Sequence, residues 1–197
     1  MFYNILCSIA RIVMKILFKV RIYGDNKLKD GKLIICANHQ SNFDPIALAT
    51  AVDRQVFFMA KRELFKNKLL GKIFAKLGVF PVDRKGADLQ SIRKAIGILD
   101  DDNVLGIFPE GTRVEERDPS NMKEGVSFIA LKAKADIQPV YIESDYKFRG
   151  KLNIYFRDLI SIDEYLALPK KQAKIELGQD VFNEIYYNKK KELQEIK

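Results

Sequence analysis

Histidine is nearly absent from this chain of 197 residues: His39 is the only one. Sites that need two imidazoles, such as the HExxH zinc motif, are excluded, and any imidazole base working near neutral pH must be His39. Cysteine is almost as scarce. Cys7 and Cys36 are too few for a disulfide framework or a cysteine-rich zinc site, and their usage suits a reducing compartment; no metal is expected. The GxSxG elbow that would present a nucleophilic serine is missing, which argues against a Ser-His-Asp hydrolase. No Ser/Gly/Pro-rich linker or internal repeat divides the chain, so its 47% of hydrophobic residues is expected to form one core.

Long uncharged apolar runs are lacking too. In residues 2 to 20 the charges of Arg11, Lys15 and Lys19 interrupt the apolar stretch before the roughly 18 to 20 residues a span requires. No small-residue cleavage site follows it, and the basic residues lie inside it, unlike a signal peptide. Those three residues instead recur at helical spacing, with Leu6, Val13, Leu17 and Val20 opposite them. The expectation is an amphipathic membrane-interfacial helix within an N-terminal unit, residues 1–24, preceding a single domain, residues 25–197. A helix simply packed on that domain is the alternative. The net charge of +8 requires a partner that tolerates it. Nucleic acid is not expected, because no helix-turn-helix, zinc-finger or RNP-like pattern is present and the aromatics sit in apolar runs such as QVFFMA. An anionic membrane surface is expected, with KRELFKNKLLGKIFAKL (61–77) as a second candidate face.

The chemistry is concentrated in NHQSNFD (38–44). On a continuous helix, His39 and Asp44 would point roughly 140° apart, so a turn must bring them together. The surrounding sequence supplies one: LIICA (33–37) reads as a strand, 38–42 as turn formers, and Asp44-Pro45 as a cap opening the helix PIALATAV. Asp44 can then accept a hydrogen bond from one imidazole nitrogen and leave the other free to take a proton. The same residues also suit an ordinary helix cap beside a loop histidine. Two further segments, GVFPVDR (78–84) and FPEGTR (108–113), each deliver an arginine at a strand end. Guanidinium groups bind phosphate through paired hydrogen bonds, so Arg84 and Arg113 on one rim suggest a phosphomonoester site, against the alternative of two solvated turns.

The remaining pattern alternates. DLQSIRKAIGIL (88–99) places Leu89, Ile92, Ile96 and Leu99 on one helical face behind an Asp88 cap, and NVLGIF (103–108) follows as a buried strand. KEGVSFIALKAKA reads as a helix, QPVYI and LNIYF as strands, and the tail from Lys170 as a helix with a charged, solvated face. This predicts an α/β fold, a single domain with a largely parallel central sheet flanked by helices, its motif loops at the carboxyl-terminal rim of the strands.

In this order the segments resemble the glycerolipid acyltransferases, most closely the bacterial 1-acylglycerol-3-phosphate O-acyltransferase family. NHQSNFD matches the first motif (NHxSxxD), GVFPVDR the second and FPEGTR the third; Ile137, Gln138, Pro139 and Val140 are the candidate fourth. The match runs from about Lys32 to Ile142 and assigns 25–197 as an acyltransferase domain. The resemblance implies transfer of a fatty acyl group from a thioester of acyl carrier protein or coenzyme A to the free hydroxyl of lysophosphatidic acid, without a cofactor. His39 and Asp44 would be catalytic; Arg84, Glu110, Gly111, Thr112, Arg113 and, less directly, Lys123 would bind the acceptor phosphate. Location at the cytoplasmic face of the cell membrane, peripheral or monotopic, follows. Val114, Glu115 and Glu116 after Arg113, and Gln138 in place of the fourth motif's first proline, depart from the pattern and bear on acceptor preference. Glycerol 3-phosphate, another lysophospholipid, or a noncatalytic role in binding anionic lipid remain as alternatives.

Overall fold

The computed structural model describes residues 2–83, 88–111 and 125–187. In chain order the elements are α1 (Phe2–Leu17), β1 (Lys19–Tyr23), β2 (Leu33–Ala37), α2 (Asp44–Ala51), β3 (Val56–Lys61), α3 (Lys68–Lys76) and β4 (Val79–Val82). They continue with α4 (Leu89–Asp100), β5 (Val104–Ile107), α5 (Gly125–Ala133), β6 (Asp136–Ser144), β7 (Lys151–Phe156), α6 (Asp163–Leu166) and α7 (Lys170–Tyr186). The seven strands form one sheet in the order β1-β7-β6-β2-β5-β3-β4. Five run parallel from β6 to β4; β7 is antiparallel to β6, and β1 is parallel to β7. The result is a single α/β domain with a mostly parallel sheet flanked by helices.

Strand alternation divides the core. Ile34, Cys36, Leu105 and Ile137 face one layer, packed with α4, α5 and α7, while Leu33, Ile35, Val104 and Val140 face α1 and α2. All five residues of β2 are buried, as a central parallel strand covered on both faces should be. β2 leads through α2 to β3, beyond β5, whereas β5 leads through α5 to β6, on the other side of β2. The loops leaving these two neighbouring strands therefore part in opposite directions. Such a switch point opens a crevice at the strands' carboxyl ends.

Three local expectations are revised. The N-terminal unit 1–24 does not hold as a separate segment: the helix ends at Leu17, and β1 pairs with β7 as an edge of the domain's sheet. On α1 itself, Leu6 and Leu17 of the expected apolar face are half-buried beside Met14, while its Val13 is exposed together with Ile5, Ile9, Ile12 and Ile16. On α4, Asp88 caps as expected by accepting from the Ser91 N–H at 3.0 Å, Leu99 is buried and Ile92 and Ile96 pack partly buried against the core, but Leu89 is exposed and Ser91, Ala95 and Ile98 complete the buried face.

Candidate active site

The first site loop begins with a lock. Asn38, buried at the end of β2, donates from Nδ2 to the Ile142 carbonyl at 2.9 Å and accepts the Ile142 N–H on Oδ1 at 2.7 Å, which fixes the loop to β6. Beyond it the chain turns so that three donors converge on Asp44 Oδ2: His39 Nδ1 at 2.9 Å and the Gln40 and Ser41 N–H groups at 2.7 Å each. Asp44 is 0% exposed and the His39 side chain 12%. With the carboxylate accepting from Nδ1–H, Nε2 carries the lone pair, and it has no partner among the described residues.

Asp44 is not the helix cap that its place before a proline suggested. Phe43 occupies that position, no side chain caps there, and Asp44 is the first helical residue. Its carboxylate turns back onto the preceding loop. The physical reason is the pair of free N–H groups at Gln40 and Ser41, which offer short bonds that a single helix N–H does not match.

The second loop, after β5, forms the other wall. Phe108 stacks on the His39 ring, centroids 4.3 Å apart, and Phe58 stacks on Phe108 at 6.0 Å. Phe58 reaches that place by crossing Gly106, where an added Cβ would lie 2.2 Å from its ring. Gly111 takes φ +69° and closes the turn by donating to the Phe108 carbonyl at 3.0 Å. Glu110, expected at the acceptor phosphate, is instead 4% exposed and faces inward. Its Oε2 accepts the His39 N–H at 3.0 Å, and its Oε1 accepts the hydroxyl of Tyr186 on α7. Burial raises the Glu110 pKa, and the bonds from Tyr186 and His39 act against that rise. On β2, burial and then the Glu110 charge push the Cys36 thiol well up, which leaves it unsuited as a nucleophile.

On the Asp44 side, the Tyr146 hydroxyl, from the turn between β6 and β7, donates to Oδ1. The structure thus brings together His39, Asp44, Glu110 and Gly111; Arg84, Thr112, Arg113 and Lys123 lie outside the described residues. The candidate fourth motif lies within β6, where Gln138 donates to the Arg157 carbonyl at 2.6 Å. Sequence reasoning missed Asn38, Phe108, Tyr146 and Tyr186 as site residues. Asn38 and Phe108 adjoin recognised motifs, but Tyr146 and Tyr186 lie 102 and 76 residues from their partners and carry no local signal. Among the described residues no cluster of His, Cys, Asp or Glu could hold a metal ion.

A family model described as Acyltransferase matches residues 19–143, well over half of the chain. A 1-acyl-sn-glycerol-3-phosphate acyltransferase of Bacillus subtilis (strain 168) is 29% identical over 177 residues, 86% of this chain and 88% of the relative. One of Streptococcus pneumoniae (strain ATCC BAA-255 / R6) is 33% identical over 127 residues, covering 64% of this chain and 47% of the relative, so the chain spans about half of that longer protein. Among solved structures, the crystal structure of the 1-acyl-sn-glycerophosphate (LPA) acyltransferase PlsC from Thermotoga maritima superposes with a TM-score of 0.67. That match is at 22% identity, over 91% of this chain and 79% of that one, and supports the fold.

Proposed function

Because the chain belongs to the acyltransferase family, we propose that it transfers a fatty acyl group from a thioester to the free hydroxyl of 1-acylglycerol 3-phosphate, giving phosphatidic acid. The observation that carries this reading is the His39–Asp44 pair, a buried carboxylate on Nδ1 beside an Nε2 with no partner among the described residues. His39 Nε2 takes the proton of the acceptor hydroxyl as its oxygen attacks the thioester carbonyl, and Asp44 stabilises the imidazolium. The C–O bond forms, the C–S bond breaks, and the proton passes to the departing thiolate. No acyl-enzyme is required. The donor is a thioester of acyl carrier protein or coenzyme A, and Arg84 and the 111–113 segment hold the acceptor phosphate, a role that rests on the resemblance. Glu110 backs the loop through the His39 N–H.

The protein works at the cytoplasmic face of the cell membrane. Support comes from the exposed apolar residues Ile5, Ile9, Ile12 and Ile16 of α1 and the Arg11 and Lys15 beside them. No helix among the described residues is long and apolar enough to cross a membrane.

The test is a transfer assay with both thioester donors against a small panel of lysophospholipids and glycerol 3-phosphate. Phosphatidic acid is expected from lysophosphatidic acid, with the rate falling on the order of 10² to 10⁴-fold in His39→Ala. Near wild-type turnover in His39→Ala would overturn the base. Binding to anionic vesicles without transfer to any acceptor would make the chain a lipid-binding protein instead.

A further inference from the structure

Asp44 has two carboxylate oxygens and no exposure to solvent. Oδ2 is committed to the 39–41 turn through three bonds, whereas Oδ1 accepts one, from Tyr146. A carboxylate torsion is broad and soft, so a second fixed oxygen is what stops the group from turning. Without a donor, Oδ1 would also be a buried anionic oxygen with no partner, which is costly.

The surroundings of Tyr146 hold its hydroxyl at this one place. Its backbone takes φ +51°, an uncommon conformation for a bulky residue and one that persists where neighbours enforce it. Those neighbours are identifiable. The ring meets Phe18 edge-on, centroids 5.7 Å apart at 90°, and lies nearly parallel to Phe43 at 6.1 Å. The Tyr146 N–H donates to Ser144 Oγ at 2.9 Å. The rest of the turn is tied to the carboxyl end of α1: the Arg149 N–H donates to the Leu17 carbonyl at 2.6 Å, and its guanidinium to the Ile16 carbonyl at 3.3 Å. Burial, and after it the Asp44 charge, raises the Tyr146 phenol far above its ordinary range, so it remains a donor.

We infer that Tyr146 is a positioning residue for the His39–Asp44 pair, holding Oδ1 so that Oδ2 stays aligned with His39 Nδ1 while the imidazolium forms and decays. This rests on the base role of His39 proposed above. Tyr146 itself touches no reacting atom.

The decisive variant is Tyr146→Phe in the full chain, because it keeps the ring against Phe18 and Phe43 and removes only the hydroxyl. Steady-state kinetics should show kcat falling about 10-fold, the scale of losing one hydrogen bond to a charged group, with KM for donor and acceptor unchanged. Thermal unfolding run alongside establishes that the variant is folded. A second readout needs no turnover: with one histidine in the chain, ¹⁵N–¹H spectra of the imidazole belong to His39 alone. The wild type should show a sharp Nδ1–H signal, and Tyr146→Phe a broadened one with a gain of the Nε2–H tautomer. Wild-type kcat with an unchanged imidazole spectrum would overturn the inference, as would a change confined to KM. Should the wild-type chain transfer no acyl group, the functional reading fails, and the spectra alone still decide on Tyr146.

Discussion

Asp44 accepts four hydrogen bonds with two oxygens, and no amide can copy that. In Asp44→Asn one position becomes an NH₂ that confronts donors on either side, whichever way the amide is turned. The expected result is loss of most acyl transfer together with a stability cost of about 1 to 3 kcal/mol for the buried donors left unpaired. Thermal unfolding and the transfer assay measure the two effects separately. Retention of full stability would mean that the 40–41 turn reorganises. The stabilising part of this network at His39 also depends on Glu110, whose raised pKa has a different sign of consequence from a lowered one. Since the folded protein binds that proton more tightly than the unfolded chain, the Glu110 contribution to stability is largest at acid pH and declines as pH rises through its folded value. Asp88 is the opposite case. Bonds from the Asp83 and Ser91 N–H groups lower its pKa to about 2, so its contribution is present above the ordinary value of 3.8 and is lost as pH falls through about 2. Asp88→Asn should therefore flatten the acid end of the stability curve, measured by urea unfolding at stepped pH.

At the scale of elements, β5 shows how a strand is shaped by a ring. Gly106 leaves room for Phe58, which supports Phe108 under the His39 imidazole. Gly106→Ala should destabilise by about 1 to 3 kcal/mol, the usual range for overpacking a tight core, and should lower kcat because the Phe108 stack shifts. An unchanged melting temperature would show that Phe58 relocates freely. For α1, Ile9→Glu with Ile12→Glu alters the outward stripe and leaves the buried Met14 in place. Binding to anionic vesicles should fall, and Lys15→Gln with Lys19→Gln should remove a salt-sensitive share of roughly 1 kcal/mol per residue. Sedimentation with vesicles at two salt concentrations checks both; equal sedimentation of all forms would exclude this anchor. These elements also mark what the sequence makes legible. LIICA reads as a strand because a central parallel strand is apolar on both faces, and its bounds match β2. KVRIY does not, because β1 is an exposed edge whose Lys19 and Arg21 continue the basic pattern of the preceding helix. The His39–Asp44 turn is legible since both partners lie five residues apart, but whether Asp44 caps forward or folds back depends on which N–H groups are free. Tyr146 and Tyr186 reach the site only through the sheet's topology and the return of α7, which no local window contains.

At the scale of the whole molecule, topology decides what the crevice can recognise. The strands that lead into the Arg84 and Arg113 segments, β4 and β5, end on the same rim with β3 between them. Strand spacing sets those strand ends about 10 Å apart, and the proposed phosphate site draws one arginine from the segment that follows each. A net charge of +8 over the chain favours anionic acceptors and surfaces in general. The paired geometry of guanidinium distinguishes this arrangement from charge alone, because an ammonium offers a point charge and no planar fork. Arg113→Lys and Arg84→Lys should each raise KM for lysophosphatidic acid while leaving KM for the thioester near its wild-type value. Monoacylglycerol, which has the hydroxyl but no phosphate, should be a poor acceptor for the wild type. Kinetics with each substrate varied in turn separate these outcomes. Equal use of monoacylglycerol and its phosphate, or unchanged acceptor kinetics in both lysine variants, would remove the phosphate from the recognition scheme and leave the hydroxyl at His39 as its whole basis.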